Sequence, residues 1–281
     1  MSKILKKSAR VLLGLLIGLV ILGALYYSLW VYPNYSVPIL TYHSFDHHHS
    51  ELSVSPENFA KQMKFLKDRG YHVIPLDEAI VGMAQGRKFP HNTVVITIDD
   101  GYENNYTVAY PILKKYGFPA TIFLVTDFIG TKRFFYDQNQ SFLNWDEIRQ
   151  MSKDNISFGA HTKNHVYLPF VKDKNILWDE IAGSKDAIEK HLRQPVDYFC
   201  YPYGGFTEEI KALVKKAGYK GAATTHRGFD LQNRKEFYEI NRISVRNTNP
   251  YFSLSNLYKP MRFWIKLSGY YNLFRKGTKG C

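Results

Sequence analysis

Strand-like and helix-like segments alternate along most of this chain. Three predicted helices end at a glycine, at Gly70, Gly117 and Gly218, and an extended segment follows each of them. Such alternation over roughly 200 residues is typical of parallel βα units. It predicts an α/β fold, either a barrel or a doubly wound sheet. In both architectures the functional groups lie at the carboxyl ends of the strands, so motifs should follow directly after apolar runs.

The basic charge is concentrated at the two ends of the chain. The 281 residues include 37 Lys and Arg against 25 Asp and Glu, a net charge of +12. Ten of the 37 lie in two stretches without an acid, residues 1–10 and 255–281, which leaves 27 basic against 25 acidic residues in 11–254. This nearly neutral body argues against a nucleic-acid-binding protein. The two cysteines, Cys200 and Cys281, are too few for a disulfide-stapled fold or a cysteine-based zinc module.

An uncharged apolar run occupies residues 11–32, directly after the basic residues 1–10. It is long enough to cross a bilayer as a helix. A cleaved secretory signal is the alternative, but its apolar region would be shorter and would end in small residues rather than in Trp30 and Tyr32. The run therefore predicts one transmembrane anchor at 11–32, with a cytoplasmic N-terminus at 1–10 and an extracellular body after a short linker at 33–36.

Two adjacent carboxylates, Asp99 and Asp100, end the apolar strand that begins near Val94. Neighbouring side chains of an extended chain point to opposite sides, so one carboxylate can bind a metal while the other acts as a base. Alone, this Asp-Asp-Gly sequence would more often be a turn.

Histidines follow two other predicted strands. His161 and His165 come after the segment ISFGA, and His43 comes after VPILTY. Two imidazoles four residues apart can meet at one metal ion, and a carboxylate from another strand end can supply a third ligand. The alternative is a pair of surface histidines.

A fourth strand, DYFCY, continues into a loop formed by Tyr201, Pro202, Tyr203 and Gly204. This loop could form one wall of a binding groove with backbone N–H groups directed at a ligand. Ordinary turn chemistry is the alternative.

Taken together, ITIDDG, HTKNH and YPYG resemble the ordered motifs of the polysaccharide deacetylases, the NodB-homology family also classified as carbohydrate esterase family 4. The resemblance extends from about Val37 to Ser244. TYH near the start and INRISV near the end resemble the subgroup that deacetylates exopolysaccharides such as poly-β-1,6-N-acetylglucosamine. The family resemblance implies a distorted (β/α) barrel at 37–249, a metal site of Asp100, His161 and His165, and Asp99 as the general base. The metal implied is Zn²⁺, for which Co²⁺ or Ni²⁺ can substitute.

The subgroup also implies a catalytic role for His43, because its permuted motif order places this histidine near the start. A departure occurs at Cys200, where many family members have the arginine that positions the base. Arg242 is the candidate substitute. The implied partners are an N-acetylated polysaccharide and the membrane, with exopolysaccharide synthesis or export machinery as a further candidate.

Other functions remain as alternatives. Peptidoglycan N-acetylglucosamine is a second candidate substrate, and a glycan-binding module that retained the fold without the reaction is a candidate of another class. A glycoside hydrolase is disfavoured, because its two carboxylates must be about 5 Å or more apart and the histidines would have no role.

The last segment, residues 250–281, mixes aromatic and basic residues with no acid. It is typical either of an amphipathic segment on an anionic membrane surface or of a last helix with a basic end.

Overall fold

The computed structural model describes residues 2–26, 37–48, 52–136, 138–227 and 237–245. The predicted linker at 33–36, the end of the predicted anchor and the segment 250–281 lie outside these residues. Helix α1 (Ser2–Tyr26) exposes most of its apolar side chains from Val11 onward. Within the described part of the chain, no helix is long and apolar enough to cross a membrane.

In the described residues, seven parallel strands close into a barrel. They are β1 (Ile39–Tyr42), β3 (Thr93–Ile98), β4 (Ala120–Leu124), β7 (Ile156–Ala160), β8 (Tyr198–Cys200), β9 (Gly221–Arg227) and β10 (Ile240–Ser244). Their order is β1-β10-β9-β8-β7-β4-β3, and β1 closes the ring by pairing with β3 from Ile39↔Val95 to Tyr42↔Ile98. A short strand, β2 (His72–Val73), adds to the other side of β3. The predicted α/β barrel is confirmed.

Helices connect the strands. They are α2 (Pro56–Asp68), α3 (Leu76–Ala84), α4 (Tyr110–Tyr116), α5 (Trp145–Met151), α6 (Lys174–Trp178), α7 (Ser184–Leu192) and α8 (Glu208–Lys216). A wide helical turn at Asp179–Gly183 joins α6 to α7, so the chain is helical without a break from Lys174 to Leu192. An antiparallel hairpin of β5 (Lys132–Phe135) and β6 (Gln138–Ser141) lies between β4 and α5, and the strand and helix patterns did not predict it.

Local sequence signals explain where these helices begin and end. The Ser55 side chain caps α2 by accepting a hydrogen bond from the Asn58 N–H, and Pro56 occupies the first helical position. Gly117 ends α4 in the left-handed region with φ 67°, which a residue with a side chain adopts less readily.

All six residues of β3 are buried, because the strand is covered on both faces. Val94, Ile96 and Ile98 join the larger apolar cluster, whereas Val95 packs in a second cluster with Ile39 and other residues of the barrel strands. Thr97 and Asp99 continue the row that Val95 begins, since every second side chain of a strand points the same way. This alternation directs Asp99 toward the centre of the barrel.

Candidate active site

The residues predicted from the sequence meet at the carboxyl ends of the barrel strands. His43 follows β1, Asp99 and Asp100 follow β3, and His161 follows β7. The segment that begins at Tyr201 follows β8. Parallel strands place their carboxyl ends at one rim of a barrel, which brings residues that are distant in the sequence together.

Asp100, His161 and His165 form a compact cluster that could hold a metal ion. Each offers one ligand atom, and these atoms lie within 4.8 Å of one another. The His161 Nε2 and His165 Nε2 atoms are 3.5 Å and 3.3 Å from Asp100 Oδ1. All three side chains are buried. Asp100 has φ 73°, so the chain turns sharply after the strand and both neighbouring carboxylates stay at the barrel rim.

The donor atoms fit a divalent cation. Among the described residues, neither carboxylate oxygen of Asp100 has a hydrogen-bond partner, although both are buried. An ionised carboxylate that accepts no hydrogen bond is costly to bury, and a cation bound between it and the two imidazoles would offset that cost. The His161 Nδ1 lies 2.7 Å from the Cys200 carbonyl oxygen, which leaves Nε2 free toward Asp100. Two imidazoles and one carboxylate are the donor set of many catalytic zinc sites.

The imidazoles also determine the charge of Asp100. Burial alone would raise the pKa of this carboxyl group, but His161 and His165 outweigh burial and hold the pKa well below its usual value. Asp100 is therefore an anion at neutral pH.

A buried acid, Glu180, holds the loop that carries the two histidines. Its carboxylate accepts hydrogen bonds from the backbone N–H groups of Lys163 and Asn164, both at 2.9 Å, and from the Asn164 side-chain amide. His165 has φ 55°, and its N–H donates to Thr162 Oγ1. Glu180 could not be identified from the sequence, because nothing local distinguishes it from the exposed acids of the other helices.

Asp99 is paired with Arg242. The guanidinium donates two hydrogen bonds of 2.7 Å, from Nη1 to Oδ1 and from Nη2 to Oδ2, and both side chains are at most 3% exposed. Arg242 Nε also donates to the Thr224 carbonyl oxygen, and Nη2 lies 3.1 Å from Cys200 Sγ. The structure thus places the β10 arginine against both Asp99 and Cys200, the residue at which the sequence lacks the usual arginine.

This ion pair keeps Asp99 ionised. Burial alone would raise the pKa of Asp99, but the Arg242 guanidinium outweighs burial and lowers the pKa below its ordinary value. The bidentate contact also fixes the plane of the carboxylate.

His43 lies on the other side of Asp99, with Nε2 3.8 Å from Oδ2. The Asn105 side-chain amide donates to the His43 carbonyl oxygen at 2.9 Å and thereby holds the backbone after β1. Burial lowers the pKa of His43, although the Asp99 carboxylate opposes that shift.

The four residues Tyr201, Pro202, Tyr203 and Gly204 do not all face the site. The Tyr201 ring is buried against Phe206, so its side chain lines no groove, and Pro202 is also buried. Tyr203 is exposed and its ring centroid is 4.8 Å from that of His165. Among the described residues, the Tyr203 N–H has no hydrogen-bond acceptor.

Gly204 is needed for close packing. It has φ 73°, and a Cβ atom there would lie 2.1 Å from Thr225 Oγ1 and 2.8 Å from the Thr225 nitrogen. Only glycine fits this position without displacing β9.

Comparison with known proteins agrees with this geometry. The family profile described as "Polysaccharide deacetylase" matches residues 86–222. The Bacillus subtilis (strain 168) protein described as "Putative polysaccharide deacetylase YxkH" is 34% identical over 209 residues, which cover 74% of this chain and 71% of that protein. The chain belongs to the polysaccharide deacetylase family. It is therefore a hydrolase of amide bonds, and metal dependence is typical of this family.

Two further polysaccharide deacetylase relatives are informative. The Staphylococcus aureus (strain MSSA476) "Poly-beta-1,6-N-acetyl-D-glucosamine N-deacetylase" is 29% identical over 194 residues, 66% of each chain. The solved structure described as "Streptococcus pyogenes deacetylase PplD in complex with acetate" superposes with a TM-score of 0.68 at 28% identity, and the match covers 81% of this chain and 99% of that one.

Proposed function

We propose that this polysaccharide deacetylase is a metal-dependent N-deacetylase of an extracellular N-acetylated polysaccharide such as poly-N-acetylglucosamine. The observation that carries the proposal is the buried cluster of Asp100, His161 and His165, with its unpartnered carboxylate oxygens, next to the ionised Asp99. A metal-ligand set adjacent to a separate base is an arrangement that supports attack of water on an amide.

In the proposed reaction, the oxygen of a water molecule bonds to the acetyl carbon and the bond from that carbon to the sugar nitrogen breaks. Asp100, His161 and His165 would hold the cation, for which we propose Zn²⁺. A bound cation of this type lowers the pKa of water and polarises a carbonyl group. Asp99 accepts the proton that the attacking water loses, since Arg242 keeps its carboxylate ionised and oriented.

Two other groups complete the proposed site. His43 donates a proton to the departing amine nitrogen, and the Asp99 carboxylate beside it favours the protonated form against the effect of burial. The free N–H of Tyr203 donates to the acetyl oxygen as negative charge develops there. The products are acetate and a polymer with a free amine.

The substrate is proposed from the relatives and from the sequence motifs. The S. aureus relative carries a name that specifies poly-β-1,6-N-acetylglucosamine, and TYH with INRISV resembles the same subgroup. We also propose that the uncharged run 11–32 anchors the enzyme at the outer face of the cell membrane, where exopolysaccharide synthesis or export machinery would deliver the polymer. The support is the length of this run and the basic residues 1–10 before it.

Acetate release by residues 37–281 tests the chemical part of this proposal. Oligomers of β-1,6-linked and β-1,4-linked N-acetylglucosamine and peptidoglycan would be compared, with and without added Zn²⁺ or Co²⁺. Metal-dependent release, strongest from the β-1,6-linked oligomers, is expected. Release that persists after chelation would contradict the metal assignment. Retention of the whole chain in the soluble fraction after cell lysis would contradict the anchor.

A further inference from the structure

A row of three exposed aromatic rings begins beside the proposed centre. Tyr203, Tyr167 and Phe170 form a surface that we name the aromatic track. Its ring centroids are separated by 6.3 Å between Tyr203 and Tyr167 and by 4.8 Å between Tyr167 and Phe170. The track begins beside the centre, because the Tyr203 ring also contacts the His165 ring.

These rings are unusually exposed for aromatic side chains. Tyr203 is 51%, Tyr167 38% and Phe170 77% exposed, whereas the neighbouring Leu168 is completely buried. Leu168 anchors the short helical turn Leu168–Phe170 in the core, so the turn presents Phe170 outward. A contiguous apolar surface next to a polar centre is typical of a binding site rather than of an ordinary solvent-facing loop.

The position of the Tyr167 ring is fixed by a glycine. A Cβ atom at Gly205 would lie 2.1 Å from Tyr167 Cε2 and 2.7 Å from its Cδ2. Gly205 has φ −80°, a conformation open to any residue, so backbone strain does not require glycine there. Instead, the absent side chain leaves room for the Tyr167 ring next to the backbone that follows the Tyr201–Gly204 loop.

We propose that the aromatic track binds the sugar residues that follow the reacting acetamide in the polysaccharide chain. This inference rests on the proposed function and adds a surface that contacts the polymer beyond the centre. The axial C–H groups of a hexosamine form an apolar face that packs on aromatic rings, and Tyr adds a hydroxyl for the sugar's polar edge. Each step along the track is comparable with the length of one sugar residue. The track therefore suits successive units of an uncharged glycan.

A kinetic comparison of short and long substrates tests the proposal. Tyr167→Ala and Phe170→Ala should each raise KM for a β-1,6-linked N-acetylglucosamine hexasaccharide about tenfold, with kcat unchanged, because one aromatic contact is lost in the bound state. The same variants should change kcat/KM for the disaccharide by less than about twofold. Tyr116→Ala is the matched control, since this half-buried ring precedes β4 at the opposite end of the barrel.

A binding measurement separates the track from the reaction itself. Affinity for the hexasaccharide would be measured by calorimetry in the Asp99→Asn variant, in which the substrate should stay intact because turnover is lost. Tyr167→Ala, and equally Gly205→Ala, which displaces the Tyr167 ring without removing it, should weaken binding about tenfold. If the wild type releases no acetate but these variants still lose affinity, the proposed function is wrong and the proposal that the aromatic track binds sugars is supported.

Two results would overturn the track. One is an equal loss on disaccharide and hexasaccharide, which would show damage to the centre rather than a lost sugar contact. The other is unchanged affinity in Tyr167→Ala and Phe170→Ala, which would leave these rings to another occupant, such as the segment 250–281.

Discussion

Replacement of Arg242 should lower the free energy of unfolding more than the loss of an exposed ion pair does. Within the described residues, Arg242 and His43 are the basic side chains beside the Asp99 carboxylate. Arg242→Met removes the guanidinium and leaves a buried anion behind. Both partners are at most 3% exposed, so water cannot replace the lost contacts. Removal of one partner from such a buried pair costs about 3–5 kcal/mol of unfolding free energy.

Urea denaturation followed by circular dichroism, in the presence of a chelator, measures this cost. Arg149→Met is the matched control, because its ion pair with Asp146 is exposed on both sides and its loss should cost less than about 1 kcal/mol. Arg242→Lys keeps the charge but loses the bidentate geometry, so its cost should fall between the two.

The cost should also depend on pH. In the wild type, the pKa of Asp99 is lower in the folded protein than in the unfolded chain. This difference stabilises the protein at pH values above the unfolded-state pKa, and the stabilisation is lost as the pH falls through the folded-state pKa. Without Arg242, burial raises the pKa of Asp99, so the variant takes up a proton on folding. Its stability relative to the wild type therefore increases in acid. The difference between the two proteins should therefore be smaller near about pH 4 than at about pH 7. A cost below about 1 kcal/mol, or one that is equal at both pH values, would refute the reasoning.

The remaining predictions concern the metal and the loops. Asp99→Asn should retain the metal and lose turnover, whereas Asp100→Asn should lose both; equal metal content with full turnover in Asp99→Asn would exclude its role as base. Glu180→Ala should weaken zinc affinity about 10- to 100-fold in a chelator competition, because the loop carrying both histidines loses three hydrogen bonds; unchanged affinity would contradict this. Gly204→Ala should lower the unfolding free energy by about 1–3 kcal/mol, since its Cβ would collide with Thr225; thermal denaturation measures the loss, and an unchanged midpoint would show that β9 adjusts freely.

Residues at strand ends could be found from the sequence because their signals are local. An apolar strand followed by Asp99-Asp100, or by His161, places the polar groups at the functional rim of any parallel α/β fold. The alternation along β3 further determines which of the two carboxylates faces the barrel centre.

Contacts that depend on closure of the barrel could not be derived in this way. Arg242 reaches Asp99 only because β1 pairs with both β3 and β10, and neither strand's sequence specifies those partners. The missing arginine at Cys200 makes Arg242 a candidate for this contact, but no local sequence pattern predicts it. Glu180 and Tyr167 were missed for a related reason, since burial of one and exposure of the other are set by the packing of distant segments.

The central claim is a divalent cation held by Asp100, His161 and His165 that supports deacetylation. The most direct test is acetate release from a β-1,6-linked N-acetylglucosamine oligomer by the wild type and Asp100→Asn, each assayed after chelation and after return of Zn²⁺. The wild type should lose activity on chelation and regain it with Zn²⁺, whereas Asp100→Asn should stay inactive and bind no zinc. Equal acetate release by both proteins, with or without the metal, would contradict it.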